Sequence, residues 1–152
     1  MTIVLSTLNA RYAHASLGLR YLLANMGELQ AQTCLEEFVI GTKTTQLAER
    51  LLAHKPRIIG FGVYIWNVEE TTKLVAILKR LAPEVVVVLG GPEVSHEVNE
   101  QEIVRLADFV ITGWGDVSFA SLCQQILNGT QPLMKVMAGL QPAMSDIQLP
   151  YH

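Results

Sequence analysis

Short runs of consecutive apolar residues alternate along this chain with stretches in which apolar positions recur every three or four residues. The runs Ile3–Leu8, Thr33–Ile40, Arg57–Val63, Val85–Leu89 and Phe109–Thr112 read as strands, each rich in Val, Ile, Leu or Phe. Four are nearly continuous in hydrophobicity, the pattern of parallel strands covered on both faces. The second mixes Cys34 and Leu35 with Glu36 and Glu37 before Phe38, which suits a strand at or near an edge.

Helical patterns fill the gaps. The first has Ser16 as N-cap, a stripe of Leu19, Leu22, Leu23 and Met26, and Gly27 as its stop. The second runs from about Thr44 to His54 with Leu47, Leu51 and Leu52 inward, and ends before Pro56. Asn67 and Glu70 open the third at capping-box spacing, ahead of a stripe of Val68, Thr71, Leu74, Val75, Leu78 and Leu81. A short fourth helix covers Glu100–Leu106; the fifth starts at Asp116, buries Phe119, Leu122, Cys123 and Ile126, and stops at Gly129.

Strand, helix, strand repeated in this way predicts a doubly wound α/β domain with a five-stranded parallel sheet of the flavodoxin-like (Rossmann-like) variety. After Gly129 the pattern breaks. Met134–Leu140 can add an edge strand, so the domain is expected to span residues 1–140. Residues 141–152 carry two prolines and no periodicity, and read as a linker toward a further C-terminal part.

Composition narrows the partners. Half the residues are hydrophobic, 16% are charged and the net charge is −3, with no cluster of Lys or Arg, so no nucleic-acid partner is expected. No apolar run approaches the ~20 residues that span a bilayer, and Met1–Asn9 has no secretory pattern, so a cytoplasmic protein without a membrane partner is expected. Cys34 and Cys123 are far apart and lack the neighbours of a metal site; both read as small core residues.

In such sheets ligands bind beyond the carboxyl ends of the strands. The loops there, Asn9–Ser16, Tyr64–Asn67, Gly90–Ser95 and Gly113–Asp116, hold an unusual share of the polar, aromatic and glycine residues. Gly90-Gly91-Pro92 and Gly113-Trp114-Gly115-Asp116 are tight turns or places where a ligand approaches the backbone. Tyr64-Ile65-Trp66-Asn67 either stacks on a flat ligand or plugs the top of the core. No nucleophile elbow, P-loop or GxGxxG follows a strand, so the chain does not read as catalytic by itself.

At these loops the stretches LSTLNARYAHASLGLRYL, IIGFGVYIWN, VVLGGPEVS and ITGWGD resemble the N-terminal cobalamin-binding domain of cobalamin-dependent radical SAM proteins, a group often labelled iron–sulfur oxidoreductases or methyltransferases. The resemblance implies a cobalamin lying across the strand ends with its nucleotide tail in a slot beside the first loop. Asn9, Arg11, Tyr12, His14, Ser16 and Leu17 would border its lower face and tail. Tyr64, Ile65, Trp66 and Asn67 would approach from the third strand. Gly90, Gly91 and Pro92, with Glu93, would let the tail pass, and Gly113, Trp114, Gly115 and Asp116 would close the far side. The DxHxxG motif of base-off cobalamin proteins is broken here: Tyr12 stands at the aspartate position and the glycine falls late, at Gly18. His14 is therefore a contact and not the cobalt ligand, and no metal ligand is assigned. The CxxxCxxC triplet for an iron–sulfur cluster is absent from these residues. Cluster and S-adenosylmethionine would belong to a C-terminal radical SAM domain, the implied partner. A second reading has Tyr12, Tyr64 and Trp66 filling the pocket themselves, leaving a non-binding domain that docks the catalytic barrel.

Overall fold

The structure is a computed structural model that describes residues 2–9, 17–39, 41–64, 67–91, 102–113, 116–130, 132 and 135–139. Within these, residues 17, 18, 21, 113, 116, 117 and 137–139 are described through their backbone. The strands are β1 (Ile3–Asn9), β2 (Thr33–Val39), β3 (Ile58–Gly62), β4 (Val86–Gly90), β5 (Phe109–Gly113) and β6 (Val136–Gly139). The helices are α1 (Leu17–Ala24), α2 (Thr44–Leu52), α3 (Val68–Leu81), α4 (Glu102–Leu106) and α5 (Asp116–Leu127), with a 3₁₀ helix at Gly27–Gln32. The five expected strands form one parallel sheet. The sixth, at the expected extra position, extends it in the order β2-β1-β3-β4-β5-β6.

Continuous apolar runs arise because every central strand buries both of its faces. Val4 and Leu8 of β1 enter the core under α2, α3 and α4, whereas Ile3 and Leu5 enter the one under α1 and α5. At about 25 cal/mol per Å² of apolar surface removed from water, these two layers supply most of the driving force for folding. β2 lies at the edge, as its mixed pattern predicts. Arg20 pairs with Glu37 on one of its faces, while Arg50 and His54 pair with Glu36 on the other.

Three local expectations are corrected. Asn67 occupies the N-cap position of α3 but makes no side-chain cap bond, and Glu70 pairs with Lys73 instead of returning to the cap. The Asn67 amide is drawn inward to the sheet. Leu81 is 62% exposed, because Ala82, one helical turn after Leu78, takes the inward place. Gly27, at φ +59°, does not simply stop the first helix; it opens the 3₁₀ helix that leads into β2. The Ser16 cap lies outside the described residues.

One connection decides the shape of the site. β3, β4, β5 and β6 step in one direction across the sheet, with α3 and α4 on one face and α5 on the other, against α1. The β5–α5–β6 connection therefore has the opposite hand to the other four, against a strong preference for right-handed crossovers. It gives the α1 face its second helix. Without α5, Ile58, Val88 and Ile111 would be covered only by α1 and the 3₁₀ helix after it.

Candidate functional site

At the carboxyl ends of the strands, on the α1/α5 face, the sheet runs out of side chains. Strand residues alternate between faces, and on this face β3 offers Gly60 then Gly62, while β4 ends in Gly90. Gly62 and Gly90 are register partners. Leu19 and Leu22 of α1 and Phe119 of α5 stand over this bare floor, with Leu5, Val88 and Ile111 at its borders. The result is a part-open slot of about 150 Å³ between the first and fifth helices.

Each glycine has its own reason. A Cβ on Gly60 would sit 2.8 Å from the Phe119 ring, so Phe119 closes the deep end by packing directly on backbone. A Cβ on Gly62 would touch the Tyr64 ring at 3.4 Å, which places Tyr64 over that residue at the slot. Around Gly90 no atom of the described residues lies within 4 Å of such a Cβ, so among them a side chain there would meet nothing. Gly91 has φ +109°, and a Cβ would come within 2.4 Å of the Val63 carbonyl oxygen. Val63 N–H donates to the Gly90 carbonyl at 2.8 Å, fixing that close approach. The two readings of the Gly90-Gly91 pair thus divide between its members: Gly91 makes the turn and Gly90 makes the space.

Next to the slot, β1 and β3 separate at the switch point of the sheet, where connections leave toward opposite faces. Their ladder ends at the Ser6–Phe61 pair. Beyond it side chains bridge the gap. Thr7 Oγ1 donates to the Gly62 carbonyl at 3.0 Å. Asn67 Nδ2 lies 3.0 Å from the Leu8 carbonyl, 3.2 Å from Thr7 Oγ1 and 3.3 Å from the Gly62 carbonyl. Asn67 Oδ1 accepts from Tyr64 N–H at 2.8 Å. Fully buried, Asn67 clips the two strand ends together and fixes the backbone from which Tyr64 reaches the slot. Its place in the site is that of a positioning residue.

Of the residues expected at the site, the structure brings Tyr64, Gly90 and Gly91 to the slot, with Asn67 behind them. Asn9 ends β1 and is half-buried; Leu17 opens α1, Gly113 ends β5 and Asp116 opens α5. Arg11, Tyr12, His14, Ser16, Ile65, Trp66, Pro92, Glu93, Trp114 and Gly115 lie outside the described residues. Sequence reasoning missed Gly60, Gly62, Leu19, Leu22 and Phe119. A signal was there: two glycines inside the buried strand Ile58-Ile59-Gly60-Phe61-Gly62 mark a close approach to backbone. The helix residues read only as core.

Among the described residues no group of three or more His, Cys, Asp or Glu side chains could hold a metal. Burial pushes the Cys123 thiol up to about 12. Burial also raises Cys34, whose Sγ lies 3.8 Å from His54 Nδ1 at the sheet edge. No described helix is long and apolar enough to cross a membrane.

Fold and slot define a doubly wound, flavodoxin-like α/β domain with an apolar slot at the carboxyl edge of its sheet. More specifically, the chain belongs to the B12-binding domain family, whose model matches residues 3–123. Solved structures similar to it include the following three. The radical S-adenosylmethionine methyltransferase TsrM from Kitasatospora setae, solved with tryptophan substrate and a SAM analogue, superposes with a TM-score of 0.66 at 19% identity over 86% of this chain and 27% of that one. The cobalamin-dependent S-adenosylmethionine radical enzyme OxsB, with aqua-cobalamin bound, gives 0.70 at 12% identity over 95% of this chain and 23% of that one. A cobalamin-binding protein from Desulfitobacterium hafniense gives 0.55 at 18% identity over 82% of this chain and 58% of that one. At these identities the likeness is one of fold. The chain spans about a quarter of the length of the two radical enzymes. Comparison with curated proteins gave no match.

Proposed function

We propose that this chain is a cobalamin-holding module of a cobalamin-dependent radical SAM enzyme, with the nucleotide tail of the cofactor seated in the slot between α1 and α5. The observation that carries this reading is the glycine floor. Gly60 and Gly62 bring buried backbone and no side chain to the floor of the slot, and at half-buried Gly90 no atom of the described residues lies within 4 Å of where a Cβ would stand. That is a cradle a single Cβ would begin to fill.

Leu19, Leu22 and Phe119 would hold the tail by apolar contact, and Tyr64 would meet it at the rim, with Asn67 holding Tyr64 in position. The loop residues Asn9, Arg11, Tyr12, His14, Ser16 and Leu17 would border the lower face and tail, Ile65 and Trp66 would approach from the third strand, Pro92 with Glu93 would let the tail pass, and Gly113–Asp116 would close the far side. When bound, cobalamin supplies a cobalt centre able to carry a methyl group. The described residues orient the cofactor and keep water from its tail. Residues 141–152 would lead to the catalytic radical SAM domain, where an iron–sulfur cluster and S-adenosylmethionine belong.

Titration with hydroxocobalamin, followed by its visible spectrum and by co-elution from a desalting column, tests the cofactor assignment. Co-elution near one equivalent is expected; release of all colour at high micromolar protein rejects it. Iron and sulfide analysis of the protein purified from its source tests the radical SAM assignment separately. Their absence would reject that half and leave cobalamin binding standing.

A further inference from the structure

Resting on the cofactor reading above, we infer that the slot selects among corrinoids by the base at the end of their tail, taking a benzimidazole-type base and discriminating against a purine. The lining decides this. Among the described residues, the side chains that wall the slot are Leu5, Leu19, Leu22, Val88, Ile111 and Phe119, and the only polar-tipped one is Tyr64. The floor is backbone, but backbone already in use. Gly60 and Gly62 lie in the register of β3 with β4, and the Gly90 carbonyl accepts from Val63 N–H.

A dimethylbenzimidazole presents two methyl groups and a hydrocarbon edge, which suit such a surface. An adenine of similar breadth presents an exocyclic amine and additional ring nitrogens. Within an apolar slot these polar groups would lose water without gaining partners, at a cost of roughly tenfold or more in affinity for each one left unpaired. Depth adds to the effect. Phe119 packs on Gly60 so closely that the deep end is closed by a hydrocarbon ring, which offers a polar edge no hydrogen-bond partner.

The experiment compares three ligands on the whole chain by spectral titration: hydroxocobalamin, the same corrinoid with adenine in place of dimethylbenzimidazole, and tail-less cobinamide. The benzimidazole form is expected to bind at least about tenfold more tightly than the adenine form. Equal or tighter binding of the adenine form overturns the selectivity while leaving the cofactor reading intact. Equal binding of all three shows that the tail is not in the slot and overturns the inference. Failure of every corrinoid to bind rejects the cofactor reading itself. The variant Gly90→Leu, its fold checked by circular dichroism, sends a side chain into the slot. It should weaken the tailed corrinoids and leave cobinamide unchanged. Equal loss for all three ligands would also overturn the assignment of the slot.

Discussion

Replacing Asn67 by alanine should destabilise the domain by about 3 kcal/mol, through the sheet and not through the helix it precedes. Asn67 makes no side-chain bond to the first turn of α3, so the ordinary loss of an N-cap does not apply. What is lost is the bridge across the strand ends. The Gly62 carbonyl keeps its bond from Thr7 Oγ1, so it is not stranded. The Leu8 carbonyl and Tyr64 N–H each lose their bond to the Asn67 amide. Leaving a buried polar group unsatisfied costs about 1–3 kcal/mol, less at the half-buried Tyr64, and a small void adds to the sum. In a domain of this size 3 kcal/mol corresponds to roughly 6–12 °C in Tm. Urea unfolding followed by circular dichroism, with an unchanged slope against denaturant, measures it. Asn67→Asp separates the two halves of the clip. It keeps an acceptor for Tyr64 N–H but turns a carboxylate toward the Leu8 and Gly62 carbonyls, so it should be worse than alanine at neutral pH and recover as pH falls. A loss below ~0.5 kcal/mol for Asn67→Ala, the range of ordinary surface substitutions, would refute the idea that this side chain holds β1 and β3 together.

Gly60→Ala should cost about 1–3 kcal/mol by overpacking against Phe119, and Phe119→Leu should recover part of that cost in the double variant; a strictly additive pair would refute the contact. Gly91→Ala should be more damaging, since both its φ of +109° and the Val63 carbonyl 2.4 Å away oppose a side chain, and thermal unfolding should show it. The Cys123 thiol, raised from 9.0 to about 12, holds its proton more tightly folded than unfolded. Its contribution is complete below pH 9 and is lost as pH rises from there toward 12, so Cys123→Ala should flatten the fall of stability on the alkaline side, read from urea midpoints. In the native protein an alkylating reagent should modify half-buried Cys34 before Cys123, a ranking that peptide mass mapping checks.

Periodicity and burial made the fold legible in the chain itself. A strand covered on both faces must be apolar at consecutive positions, and a helix lying on it must be apolar every third or fourth. Ile3–Leu8 and Val68–Leu78 each satisfy one of these conditions and not the other. Strand ends are also where backbone turns, so Gly90-Gly91 and the segment from Tyr64 to Asn67 stand out in the sequence itself. Their division of labour was not readable, because it depends on what stands opposite. Val63 presses on Gly91 while no described residue presses on Gly90, and both facts come from strand register.

The same holds for Asn67. Its spacing from Glu70 suggests a helix cap, and only the parting of β1 from β3 turns the amide toward the sheet. The slot lay furthest from sequence reasoning. Leu19, Leu22 and Phe119 have the spacing of ordinary core residues, and they become walls because α5 returns to the α1 face over glycines contributed by two other strands. Local sequence determines which residues leave water. Which of them meet, and where they fail to meet and leave a space for a ligand, is set by the path of the chain between them.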